Sequence, residues 1–147
     1  MVTGKHYQPL VERKLLCDLH VSTVSQAIVS EYLASGHYRH HLSHLQAQHL
    51  HSRNAMLSAL QNHFPPSASW TVPKGGTFLW VQMPTIPLSE ICQQALSRGV
   101  FVAEGTAFFP GQQGYPAFRL NFTLTPEQIE RGISILGELL RTVTSDQ

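Results

Sequence analysis

Two consecutive prolines, Pro65-Pro66, divide this chain into halves that must fold by different rules. Neither proline has a backbone N–H and each fixes φ, so a helix arriving from the N-terminal side must end there. Before them, apolar residues recur every three or four positions. After them come short runs that alternate apolar and polar, punctuated by glycine and proline.

In the first half, Ser22 or Thr23 caps a helix running to about Ser35, with Val24, Ala27, Ile28 and Tyr32 at helical spacing and Gly36 as a left-handed stop. A longer helix is predicted from about His37 to Phe64, with the stripe Tyr38, Leu42, Leu45, Leu50, Ala55, Leu57 and Leu60. At 1.5 Å per residue its roughly 27 residues reach about 40 Å, more than a small domain needs and suited to joining two domains. Upstream, Lys5 to Leu19 mixes Leu10, Val11, Leu15, Leu16 and Leu19 with basic residues and has no start signal, as in a segment from the middle of something larger.

In the second half, Ser69 to Pro73 reads as a strand, Lys74-Gly75-Gly76 as a turn and Thr77 to Met83 as the returning strand, broken by Pro84 to Pro87. Leu88, Ile91, Cys92, Ala95 and Leu96 mark a helix that stops at Gly99. Val100 to Ala103 and Ala117 to Phe122 read as two more strands around a Gly/Pro-rich loop, Glu104 to Pro116. Thr125-Pro126-Glu127-Gln128 is a strong helix start: threonine caps, proline takes the first turn and Gln128 closes a capping box. Ile129, Ile133, Leu136 and Leu140 form the apolar face of that helix. The sum is an α+β chain, β-β-α-β-β-α behind a long helical arm, with a mostly antiparallel sheet.

Of the 147 residues 42% are hydrophobic and 13% charged. Such low charge argues against disorder and fits a packed piece or one whose surface meets a partner. A formal net charge of +1 leaves no electrostatic footprint for nucleic acid. No apolar run approaches a membrane span. Cys17 and Cys92 lie far apart in apolar stretches and read as reduced, buried thiols of an intracellular, cytoplasmic protein. His37, His41 and His44 fall on one helix face, with His40, His49 and His51 nearby. No carboxylate or cysteine completes a metal site there, so a solvated or domain-facing stripe is expected and no metal.

Arg119 is the candidate binding residue. It opens the strand Ala117 to Phe122 just after the glycine-rich loop, and its planar fork of donors matches a carboxylate in two parallel hydrogen bonds. Asn121, two residues on, shares its strand face and could bond it or face solvent.

Three blocks, in order and at matching spacing, resemble the C-terminal part of fold-type I, pyridoxal-phosphate-dependent aminotransferases. They are Pro73-Lys-Gly-Gly-Thr-Phe-Leu-Trp80, Arg98-Gly-Val-Phe-Val-Ala-Glu-Gly-Thr-Ala-Phe-Phe109 and Phe118-Arg-Leu-Asn-Phe122. The likeness extends upstream through Tyr32 to Arg39. Glu104 departs from the family's usual proline, which changes the loop's stiffness and local charge. Ser35 to Leu45 is most similar to MocR-type regulators of the GntR group, in which an aminotransferase-like domain follows a DNA-binding winged helix; free-standing 2-aminoadipate and kynurenine aminotransferases carry similar runs.

The resemblance implies a remnant of the large domain and the interdomain helix over 1–64, and the small C-terminal domain over 65–147. It implies that Arg119 grips the α-carboxylate of an amino acid substrate or effector. It also implies pyridoxal phosphate in a longer parent, because the family's Schiff-base lysine, acidic ring partner and stacking aromatic all correspond to positions before Met1. Lys5, Lys14 and Lys74 do not match the lysine motif, so neither cofactor binding nor catalysis is expected of this segment alone. DNA contact would come only through a domain absent here. The unpaired apolar face of the first sixty residues predicts a homo-oligomer, a dimer foremost.

Overall fold

The computed structural model describes residues 4–83, 86–109 and 114–145. The start of the expected strand break at Pro84, residues 110–113 of the glycine-rich loop and the Val2-Thr3 pair lie outside that set. The chain forms two compact units, Met1–Leu45 and Gln46–Gln147.

The first unit holds a 3₁₀ turn, Gly4–His6, then α1 (Tyr7–Asp18), α2 (Thr23–Ala34) and the start of α3 (His37–His63). The sequence reading missed α1, whose Pro9 falls in the first turn, where a missing N–H costs nothing. Lys14 pairs with Asp18 one turn on. Ser22 caps α2, its Oγ accepting from the Ser25 amide at 3.4 Å, and Gly36 ends it with φ +82°. The ring of Tyr32 stacks on His37 with centroids 6.2 Å apart. No residue of α1 or α2 is buried, and Leu16 is 80% exposed. Cys17 is exposed and Cys92 half-buried, which corrects the expectation of two buried thiols. For Cys17 the reason is that no residue of α1 is buried.

The second unit is a four-stranded antiparallel sheet in the order β1 (Ser69–Trp70), β2 (Phe78–Gln82), β4 (Ala117–Asn121), β3 (Ala103–Glu104), with α4 (Leu88–Ser97) and α5 (Pro126–Ser145). Leu79 pairs with Leu120 and Val81 with Phe118, so these four share one sheet face. They pack in a single core with Met56, Ala59 and Leu60 of α3, Ile91 and Ala95 of α4, and Ile129, Ile133, Leu136 and Leu140 of α5. The buried face of α3 is therefore Ser52, Met56, Ala59 and Leu60. Of the expected stripe Leu60 belongs to it and Leu57 packs half-buried against the core, while Tyr38, Leu42 and Leu50 are exposed. Gly137 lets α5 press on the end of α3, since a Cβ there would lie 2.5 Å from the His63 carbonyl oxygen. Arg141 Nη1 donates to that same oxygen at 3.2 Å.

All four strands are shorter than expected, and β1 and β3 keep only two residues each. Val100 donates its amide to Ala95 O at 2.8 Å, closing the end of α4 beside Gly99 (φ +79°), so it is spent before the ladder begins. Pairing starts only at Ala103, and Phe101 is 81% exposed. On β1, Thr71 still donates to Trp80 O at 3.0 Å, but Pro73 has no N–H with which to continue. The α5 start is as the sequence predicts: Thr125 N donates to Gln128 Oε1 at 3.1 Å and Gln128 N to Thr125 Oγ1 at 3.4 Å. Thr125→Ala is expected to lower unfolding free energy by about 1 kcal/mol; urea melts of both proteins check it.

Candidate functional site

The face of the sheet opposite the core carries the candidate site. Trp80 pairs with Arg119, and Arg119 with Ala103, across three strands. Period-two alternation puts Phe78, Trp80 and Arg119 on one side and Leu79, Phe118 and Leu120 on the other. The Arg119 guanidinium lies between two aromatic rings, its Cζ 4.2 Å from the Phe78 centroid and 4.1 Å from that of Phe108. A delocalised, weakly hydrated cation is stabilised by two π-faces and loses side-chain freedom when so held. Its Nε is buried and has no hydrogen-bond partner among the described residues. A buried unsatisfied donor costs on the order of 1–3 kcal/mol, and an incoming acceptor would remove that cost.

Trp80 organises the surrounding wall. Its ring meets those of Phe108, Phe109 and Tyr115 edge-on, with centroids 6.1, 5.7 and 6.3 Å away. Its Nε1 is also buried without a partner. Gly105 makes this packing possible, because a Cβ there would lie 2.9 Å from both Ala117 O and Trp80 Cζ2. Glu104 has φ −67°, a value a proline ring would also adopt. It does add charge: burial, then the Glu104 carboxylate, pushes the Cys92 thiol pKa up.

Arg119, Phe78 and Asn121 also line a cleft of about 360 Å³, together with Phe101 and Gln128, and this cleft continues into the core side of the sheet, where Met56, Leu120, Ile129, Ile133 and Leu136 line it. Asn121 does not serve the arginine. Its Oδ1 accepts from both the amide and the hydroxyl of Thr123, each at 2.8 Å, and so turns the chain after β4. Phe108 is the residue the sequence reading missed. Its motif was visible, but its place over Arg119 depends on a 3₁₀ turn, Gly105–Phe108, that no periodicity announces. Among the described residues no group of three or more His, Cys, Asp or Glu side chains could hold a metal ion. No helix of the described residues is long and apolar enough to cross a membrane.

The chain is 31% identical over 144 residues to the uncharacterized HTH-type transcriptional regulator YdfD of Bacillus subtilis, covering 94% of this chain and 30% of the regulator. It is 35% identical over 126 residues to aromatic-amino-acid aminotransferase 1 of Thermococcus litoralis, covering 84% and 30% respectively. Among solved structures it superposes on LysN, the alpha-aminoadipate aminotransferase of Thermus thermophilus, with a TM-score of 0.87 and 29% identity, over 100% of this chain and 38% of that one. No family model matches. The chain thus spans about a third of the length of the relatives it matches.

Pyridoxal phosphate, the cofactor of such aminotransferases, needs an amine for its imine and an acidic partner for its ring. The lining of the Arg119 cleft contains neither lysine nor carboxylate. The lining of this cleft therefore supplies neither group, and what it offers is a held cation beside an apolar cleft. In sequence and fold the chain belongs with the fold-type I, pyridoxal-phosphate-dependent aminotransferases and the aminotransferase-like HTH-type regulators related to them, and corresponds to the C-terminal part of that fold.

Proposed function

We propose that Arg119 binds the α-carboxylate of an amino acid, as substrate or effector, in a longer protein that supplies the cofactor. The observation that carries this is the guanidinium clamped between Phe78 and Phe108 with its Nε buried and unpartnered. A donor fork held rigid before the ligand arrives loses little entropy on binding, and orientation of a reactant can supply several kcal/mol to a reaction. In this reading residues 1–64 are large-domain remnant and interdomain helix, residues 65–147 form the small domain, and the working unit is a cytoplasmic dimer.

The parent in this proposal is a MocR/GntR-type transcriptional regulator, in which amino acid binding alters how separate DNA-binding domains are held. The match to YdfD over 94% of the chain favours it. The second reading, a free-standing aminotransferase of the 2-aminoadipate and kynurenine type, is favoured by the superposition on LysN over the whole chain. The coding sequence upstream of Met1 discriminates: a winged-helix segment ahead of an aminotransferase domain supports the regulator, and its absence supports the enzyme. The carboxylate role is tested by titrating the protein with an α-amino acid and with the matching amine lacking the carboxylate, following the Arg119 Nε–H resonance. A shift with the acid alone is expected; equal shifts with both would remove the assignment.

A further inference from the structure

A second cavity, of about 400 Å³, lies between α3 and the β1–β2 turn and shares no lining residue with the Arg119 cleft. It is lined by Gln46, His49, Leu50 and Arg53 from α3, by residues Pro73 to Gly76 of the turn, and by Phe122. We propose that this cavity is a binding site for a small phosphate monoester whose organic part is apolar or aromatic.

Three basic side chains, His49, Arg53 and Lys74, converge on it from two separate elements, and no carboxylate lines it. This absence extends along the sequence. Between Glu31 and Glu90 there is no aspartate or glutamate, while Arg39, Arg53, Lys74 and seven of the nine histidines fall there. From α5, Glu130 pairs with His63 at the far end of α3 at 2.6 Å, and His51 is among the groups that hold the Glu127 carboxyl below its usual pKa; neither carboxylate lines this cavity. Lys74 forms no ion pair among the described residues. Unneutralised like charges brought together repel, and an anion between them reverses the sign of that interaction.

The site is also pre-shaped. Arg53 Nη1 donates to Pro73 O at 3.1 Å, tying the helix to the turn. Its Nε and Nη2 donate to Asn54 Oδ1 at 3.2 and 2.9 Å. Of the five guanidinium N–H groups, two stay available. The turn adds backbone donors: the Gly75 and Gly76 amides reach no backbone carbonyl among the described residues, and Gly76 has φ +79°, the left-handed geometry in which successive amides form anion-binding concavities. One tethered cation, Arg53, a second on the turn, Lys74, and backbone amides suit a dianionic tetrahedral oxyanion better than a single carboxylate. The volume exceeds what one such anion fills, and Leu50, half-exposed on α3, gives an attached apolar group a surface to lie on.

The test is titration of the whole chain with inorganic phosphate, phenyl phosphate and benzoate, read from the Gly75 and Gly76 amide resonances. Saturable shifts with both phosphates are expected, phenyl phosphate binding more tightly, with benzoate far weaker. Lys74→Gln, at an exposed turn position, should weaken phenyl phosphate by about tenfold, the loss of one charge-assisted bond. His49→Gln should weaken it less, and Arg119→Gln should leave it unchanged. Shifts that never saturate, benzoate binding as tight as phenyl phosphate, or unaltered affinity in Lys74→Gln would each overturn the proposal. Loss of binding in Arg119→Gln would do the same by moving it to the other cleft.

Discussion

Arg119→Gln is expected to weaken amino acid binding by roughly thirtyfold, about 2 kcal/mol, the low end for removing one partner of a partly desolvated charge pair. The low end applies because the side chain is half-exposed. Arg119→Lys separates charge from geometry. An ammonium keeps the charge but loses the flat fork and the planar group that fits between the Phe78 and Phe108 rings, so affinity should fall between those of the arginine and glutamine proteins. Calorimetric titration with an α-amino acid would measure all three. If lysine binds as well as arginine, the aromatic clamp has no role in recognition; if glutamine does, Arg119 is not the carboxylate anchor.

Phe118→Ala should cost the fold about 3–5 kcal/mol, the usual loss for emptying a fully buried phenylalanine site. Its ring is 0% exposed and belongs to the core shared by the sheet, α3, α4 and α5. Against a typical domain stability of about 5–15 kcal/mol, that loss would lower the urea midpoint steeply. The neighbouring Arg119→Gln should barely move it, because the two side chains project to opposite faces of β4 and the glutamine variant also removes a buried unpaired donor. A Phe118→Ala loss below about 1 kcal/mol would mean that this face is not the packed one.

Much of this architecture is legible in sequence because it depends on local chemistry. Gly36 and Gly99 stop helices through positive φ, Pro65 follows the last turn of α3, and Thr125 and Gln128 cap each other. Arg119 is legible for a different reason: its strand, loop and neighbouring blocks sit in family order. What sequence does not reveal is set by long-range partners. Residues 100–102 have strand composition, yet the end of α4 claims the Val100 amide. The α3 stripe is displaced because its second half meets the sheet and α5 through Met56 and Ala59. The aromatic clamp joins Phe78 and Phe108, thirty positions apart, and the cationic cavity joins α3 to a turn more than twenty residues beyond His49.

The ring packing around Trp80 has an optical consequence. The protein has two tryptophans, Trp70 and Trp80, and Trp80 alone stands beside the arginine clamp, with an indole N–H that no described residue accepts. Indole emission responds to the field and polarity around the ring. With Trp70 replaced by phenylalanine, the chain becomes its own single-fluorophore indicator: occupancy at Arg119 could be followed by colour and intensity, without a label and without any turnover to measure.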